Sequence, residues 1–293
     1  MKKLSVLLLI LILLLCGCSQ ATEAFDLAAT TIPVFDFTTV LCHGTSLSVG
    51  RLVTESVSCL HDYTLKVSQM RMIESADAIV ISGAGLEEFL DDALHGSHTV
   101  IDSSVGTHIH EGDHHDSQDA SDDHDHHHED DPHIWLSPEN AKSMANSICL
   151  ELIELYPEYT DLFQNNLAML LQQLDDLQAY GNEQLAELTC RELITFHDGF
   201  NYLAESFDLT ILEAIEEESG SEASAAEIIH LANLVNAHNL PAIFIERNGS
   251  DACAGIISAE TGVQIYTLDM ALSGDSYFDA MYHNINTLKE ALG

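Results

Sequence analysis

Residues 193–214, LITFHDGFNYLAESFDLTILEA, decide the fold class. Leu193–Phe196 and Thr210–Ala214 are short β-rich apolar runs, and Phe200–Phe207 between them carries the spacing of an amphipathic helix. A strand, a helix and a second strand in such close succession are a unit of an α/β winding with a mostly parallel sheet. Working outward, the alternation continues toward the C-terminus with helices at Ser224–Ala237 and Ser250–Thr261 and strands at Ala242–Ile245 and Gln264–Leu268. Toward the N-terminus a separate series predicts strands at Thr31–Phe37, Arg51–Val57, Ala78–Ile81 and Thr99–Asp102, with helical spacing over Ser68–Ala76 and Gly85–Leu94.

Between the two series the pattern is helical. Ser137 is placed to cap a helix with Pro138 at its first position, and Pro157 breaks it. A longer helix follows over 158–188, with Leu162, Phe163, Leu167, Leu170, Leu171, Leu174 and Leu177 on one stripe. The expected architecture is therefore two α/β lobes with mostly parallel sheets. The N-terminal lobe is 31–157, the connecting helix 158–188 and the C-terminal lobe 189–293.

The start of the chain sets the compartment. Lys2 and Lys3 precede an apolar run from Leu4 to Leu15, too short for a comfortable membrane span and suited to a signal-peptide core. The run ends in Leu15-Cys16-Gly17-Cys18, the shape of a lipobox with Cys18 as the lipidated residue. Residues 1–18 are thus expected to be a lipoprotein signal peptide and 19–30 a tether, which places the chain outside the cytoplasm on the bacterial cell membrane. The 48 acidic and 9 basic residues give a net charge of −39, which repels nucleic acid and favours cations. The remaining cysteines, Cys42, Cys59, Cys149, Cys190 and Cys253, form no C-x-x-C pair, so a thiolate zinc knuckle is not expected.

Composition changes abruptly after Asp102. Residues 103–131 hold almost no large apolar side chains and are rich in Asp, Glu, Ser and His, a segment expected to be a disordered loop. Order is expected to resume at Pro132-His133-Ile134-Trp135-Leu136.

Four residues share a chemically suggestive placement. His61 follows the second strand of the first series and His133 the fourth; His197 follows Leu193–Phe196, and Asp269 follows Gln264–Leu268. Open α/β sheets bind ligands beyond the carboxyl ends of their strands, so each lobe offers two groups to an inter-lobe cleft. Three imidazoles and a carboxylate suit four-coordinate Zn²⁺. Glu246, directly after Ala242–Ile245, stands in a similar place and is an alternative to Asp269, as is water.

Three motifs carry a resemblance: His61-Asp62-Tyr63, Asp131-Pro132-His133-Ile134-Trp135-Leu136-Ser137-Pro138, and Phe196-His197-Asp198-Gly199-Phe200-Asn201-Tyr202-Leu203. With Thr261-Gly262-Val263 running into Leu268-Asp269, they resemble the zinc-specific metal solute-binding lipoproteins of ABC importers over nearly all of the mature chain. The resemblance implies that His61, His133, His197 and the acidic Asp269 hold the metal. It also implies that the connecting helix is rigid, and that a permease with its ATPase receives the ion. A His-rich loop in this position also resembles the zinc branch. It implies auxiliary metal capture by His108, His110, His114, His115, His124, His126, His127 and His128. The sequence departs from the pattern at Cys59-Leu60 before His61, at Phe89, at Arg247 after Glu246 and at Met270 after Asp269.

The expected function is capture of Zn²⁺ by a monomeric, lipid-anchored receptor that is not an enzyme. Mn²⁺ is the alternative cargo, although nitrogen donors favour zinc. A zinc hydrolase would need an open coordination position, and no H-E-x-x-H helix is present. An adhesin or metal buffer is the third reading.

Overall fold

The computed structural model describes residues 24–57, 60, 63–94, 98–110, 130–215 and 223–293. The leader with Cys18, the tether up to residue 23, Cys59, His61, and the loop residues His114, His115, His124, His126, His127 and His128 lie outside them.

The N-terminal lobe runs β1 (Leu27–Ala29), α1 (Ile32–Leu41), β2 (Val49–Arg51), α2 (Val67–Ser75), β3 (Ala78–Ile81) and β4 (Thr99–Asp102). Its strands are parallel and lie in the order β2-β1-β3-β4, with Leu27 in register with both Val49 and Ala78. Helices α3 (Pro138–Leu155) and α4 (Thr160–Gln184) follow. The C-terminal lobe runs β5 (Glu192–Thr195), α5 (Asn201–Ser206), β6 (Thr210–Ala214), α6 (Ala225–His238), β7 (Ala242–Glu246), α7 (Ala252–Thr261), β8 (Gln264–Leu268) and α8 (Tyr277–Leu292). Its sheet, order β6-β5-β7-β8 and also parallel, repeats the topology of the first lobe. The two-lobe α/β architecture joined by a long helix is thus the one the sequence implies. No helix of the described residues is long and apolar enough to cross a membrane.

Several boundaries differ from expectation, each for a physical reason. Thr31–Phe37 is not a strand: Thr31 is the extended residue that precedes α1, and Pro33 lies in the helix's first turn, where its missing N–H costs nothing. The buried Val34, Phe37, Thr38 and Leu41 follow the i, i+3, i+4, i+7 pattern of a helix face. The first strand lies earlier, inside the expected tether, as Leu27-Ala28-Ala29, fully buried between β2 and β3. A central parallel strand covered on both faces shows no alternation, and alanines carry no strand propensity. β2 is Val49–Arg51 and meets the expected Arg51–Val57 only at Arg51, and Gly85–Leu94 contains a 3₁₀ turn at Glu88–Leu90 in place of a helix. Residues 103–110, expected within the disordered loop, are ordered. Ser103 is buried with its hydroxyl on the Ser82 carbonyl, and Asn140 of α3 clamps both backbone groups of His108.

Ser137 caps α3 by accepting from the Asn140 N–H, with Pro138 at the first position. Beneath the cleft, one core cluster includes Phe37 and Leu41 of α1, Phe163 and Leu170 of α4, and Tyr277 and Leu288 of α8, and so joins both lobes. Polar clasps reinforce it. The Trp135 indole donates to the Met270 carbonyl at 2.8 Å, the Tyr277 hydroxyl donates to the Trp135 carbonyl at 2.9 Å, and the Tyr277 N–H donates to Asp36 at 2.8 Å. A shared apolar core with buried hydrogen bonds leaves little freedom for one lobe to hinge on the other.

Candidate metal centre

Both sheets reverse their winding beside their first strand, the point at which α/β sheets bind ligands beyond their strand ends. In the N-terminal lobe a buried carboxylate occupies this point. The carboxylate of Glu87, 6% exposed, accepts from the Thr30 hydroxyl at 2.6 Å and from the Ser82 and Gly83 N–H groups at 2.7 and 3.0 Å. In the C-terminal lobe the corresponding point, between β5 and β7, carries His197 just past β5 and Glu246 at the end of β7. These side chains are 1% and 3% exposed, with His197 Nδ1 3.9 Å from Glu246 Oε2.

His133 arrives from the other lobe. It opens a 3₁₀ turn over Ile134–Leu136, whose apolar side chains are fully buried and fix the backbone. Asp131 Oδ1 accepts from both the backbone N–H and the Nδ1 of His133, at 3.0 and 2.8 Å. Burial alone would push the Asp131 carboxyl up; its hydrogen bonds to the His133 side chain and backbone and to Asn201 work against that, and it is held below the usual carboxylate range. An ionised Asp131 accepts a hydrogen bond from Nδ1–H, which keeps the proton on Nδ1 and leaves the His133 Nε2 lone pair facing His197. There it meets His197: the two Nε2 atoms are 3.4 Å apart and the ring planes cross at 87°. Helix α5 braces the arrangement, because the Tyr202 hydroxyl donates to the Asp131 carbonyl at 2.8 Å and the Asn201 amide reaches Asp131 Oδ2 at 3.3 Å.

Gly199 makes room for this pair. A Cβ there would lie 2.8 Å from His133 Nδ1, 2.8 Å from His197 Cδ2 and 2.6 Å from Met270 Cε.

Asp269 is held from behind by α8: its N–H donates to the Asn284 side chain at 2.7 Å, and its carbonyl accepts from the same amide at 2.8 Å. Its carboxylate, 2% exposed, accepts from the Ala271 N–H at 2.9 Å and pairs with Arg247 Nε at 3.0 Å. Burial raises the Asp269 carboxyl, opposed by the Ala271 N–H and the Arg247 and His283 charges. Among the described residues, neither Asp269 nor Glu246 completes a set with His133 and His197 in which all donor atoms lie within 4.8 Å of one another.

The structure therefore brings His133 and His197 together and sets Glu246 beside His197, while Arg247 draws the Asp269 carboxylate. His61 lies outside the described residues. The orienting roles of Gly199, Arg247 and Asn284 depend on tertiary contacts that no short stretch of sequence encodes. For Asp131, the carboxylate two residues before His133 is a legible signal.

Two parallel α/β lobes that share a core, are joined by a long helix and bring an imidazole pair together at their junction define the fold class. A solved ZnuA structure has this fold, with a TM-score of 0.77 and 28% identity over 92% of this chain and all of that one. The chain belongs to the family described as zinc-uptake complex component A, periplasmic, which matches residues 27–291. It is 30% identical to the zinc-binding lipoprotein AdcA of Streptococcus pneumoniae over 99% of this chain, and spans 61% of the length of that relative. The Zn(II)-bound structure of S. pneumoniae AdcA matches with a TM-score of 0.74 at 27% identity, over 92% of this chain and 58% of that one. The family and the relatives it matches are described by zinc uptake and zinc binding.

Proposed function

We propose that the chain is an extracytoplasmic receptor, lipid-anchored through Cys18, that captures Zn²⁺ in the cleft and delivers it to an ABC permease and its ATPase. The observation that carries this reading is the 3.4 Å between His133 Nε2 and His197 Nε2. Two nitrogens at roughly 2.0–2.1 Å from one tetrahedral zinc stand about 3.3–3.4 Å apart. The imidazoles are thus spaced as they would be around the ion, with His133 already oriented by Asp131. His61 is the third ligand, and Asp269 the fourth. With Arg247 against Asp269, Glu246 or water is the alternative fourth. Nitrogen donors select zinc over manganese, which prefers oxygen. Buried, pre-positioned donors joined to a shared core favour binding without large lobe movement. The histidines from His108 to His128 act as auxiliary capture groups.

Competitive Zn²⁺/Mn²⁺ titration tests the cargo, and growth of a strain lacking the chain in zinc-poor medium tests the delivery. Tight zinc binding with a growth defect rescued by added zinc is expected. Tight manganese binding with no zinc binding would overturn the reading.

A further inference from the structure

Arg247 stands where the chain departs from the family's pattern, and its guanidinium meets the carboxylate of Asp269. Strands β7 and β8 pair in parallel up to Glu246 opposite Leu268. Arg247 and Asp269 are thus the next residues along, just past the ends of neighbouring strands. The Arg247 N–H donates to the Leu268 carbonyl at 2.8 Å, which fixes its backbone, and its Nε lies 3.0 Å from Asp269 Oδ2.

The two partners differ in their freedom to move. The Asp269 side chain is 3% exposed. Its backbone is tied to Asn284 at both the N–H and the carbonyl, and its Oδ1 accepts from the Ala271 N–H. The Arg247 side chain is 44% exposed, and its Nη1 lies over the exposed Gly274, 4.0 Å from where a side chain there would begin. The turn that carries Arg247 closes through the Gly249 N–H on the Glu246 carbonyl, and the Asn248 amide ties it to the Ser273 hydroxyl. The carboxylate is therefore fixed, while the long guanidinium side chain can leave it for water without moving the turn.

A buried carboxylate without a counter-ion is costly, so in the empty protein Asp269 stays with Arg247. An ion that uses Asp269 must displace the guanidinium, and its apparent affinity falls with the fraction of molecules in which the carboxylate is available. That penalty is not shared equally. Zinc draws on imidazole nitrogens, here His133 and His197, whereas manganese depends on carboxylate oxygens. Of the two carboxylates past β7 and β8, Glu246 lies beside His197 and Asp269 is the one that Arg247 holds. We infer that Arg247 is a specificity-determining residue that favours zinc over manganese by competing with the ion for the Asp269 carboxylate. The inference rests on the proposed cleft site and deepens it. Arg247 touches no ion in this scheme and acts through Asp269.

The test titrates the full chain with ZnCl₂ and with MnCl₂ against a chromophoric chelator, with circular dichroism to verify folding. Arg247→Met is expected to tighten manganese binding about tenfold more than zinc binding. Arg247→Gln, a second neutral variant, carries the same expectation. Arg247→Lys, which keeps a cation beside Asp269, is expected to leave the zinc-to-manganese ratio closer to the parent's. Adding Asp269→Asn is expected to abolish the effect of Arg247→Met, a coupling that a merely structural Arg247 would not show. A ratio unchanged in both neutral variants overturns the inference, and so does a change that persists beside Asp269→Asn. The cleft reading fails separately, if His133→Ala with His197→Ala leaves the tightest zinc equivalent in place. Loss of that equivalent together with an unchanged ratio in the neutral variants sinks this inference alone.

Discussion

Gly199→Ala isolates the spacing of the imidazole pair from its chemistry. The backbone tolerates the change, since Gly199 does not have a positive φ. The space does not. The new methyl would stand 2.8 Å from His133 Nδ1 and from His197 Cδ2, 0.6 Å short of the 3.4 Å at which ordinary contact begins. The Met270 methyl, at 2.6 Å, belongs to a flexible side chain and can swing away. His133 cannot do so freely: it is 2% exposed and bonded to Asp131 at 2.8 Å. Relief must come from moving the rings, which takes the nitrogens away from the 3.4 Å that suits a shared zinc.

Disturbing the groups that position metal ligands costs about 10–100-fold in metal affinity, which is about 1.4–2.8 kcal/mol at 1.4 kcal/mol per decade. Overpacking costs a further ~1–3 kcal/mol of fold stability. Competitive zinc titration, with circular dichroism to verify folding, measures the first quantity. A folded Gly199→Ala protein whose zinc affinity stays within about twofold of the parent would refute the reasoning, because tolerance of that methyl would mean the rings do not set the site.

Three further outcomes follow from the contacts. Asp131→Asn, which removes the carboxylate that fixes the His133 tautomer, should lower zinc affinity by about 10–100-fold with little change in melting temperature; an unchanged affinity in the same titration counts against the orienting role. Burial raises the Glu87 carboxyl from 4.5 to about 7 against its hydrogen bonds to Thr30, Ser82 and Gly83, a shift worth about 3 kcal/mol at 1.36 kcal/mol per unit. A raised folded-state value means this stability is present below pH 4.5 and lost as pH rises through about 7. Glu87→Gln should therefore flatten the decline in unfolding free energy across that window, as read by denaturant titration at several pH values, and an identical slope refutes it. Tyr277→Phe leaves the buried Trp135 carbonyl without its 2.9 Å donor and should cost about 1–3 kcal/mol in the same denaturation assay while sparing zinc binding; loss of binding at unchanged stability would contradict the purely structural role.

What the sequence discloses is local. Ala78–Ile81, Thr99–Asp102, Thr210–Ala214 and Gln264–Leu268 are strands with the expected bounds, because β-branched or aromatic residues bounded by polar turns announce themselves. Leu27-Ala28-Ala29 does not, since its strand identity comes wholly from being paired on both sides. The Thr31–Phe37 run misled because Ile32 and Val34 suit a strand, while Pro33 and the later Phe37, Thr38 and Leu41 belong to a helix. Helix α8 is a further element beyond the expected series, and its Tyr277 and Asn284 hold Trp135 and Asp269 from behind. At the site, the placement of His197 and Asp269 after strands was legible from position alone. The pairing of Arg247 with Asp269 joins the ends of two neighbouring strands, β7 and β8. The approach of Glu205 to His110 joins two lobes. Neither is written in any short stretch, because each depends on how the two windings are set against each other.

The most direct test of the account is a zinc titration of the chain beside its His133→Ala/His197→Ala variant, with metal content measured on both. The account predicts one tight equivalent in the parent that is lost in the variant while the fold is retained. Equal tight binding by both proteins would contradict it, and would place the metal away from the imidazole pair at the junction of the lobes.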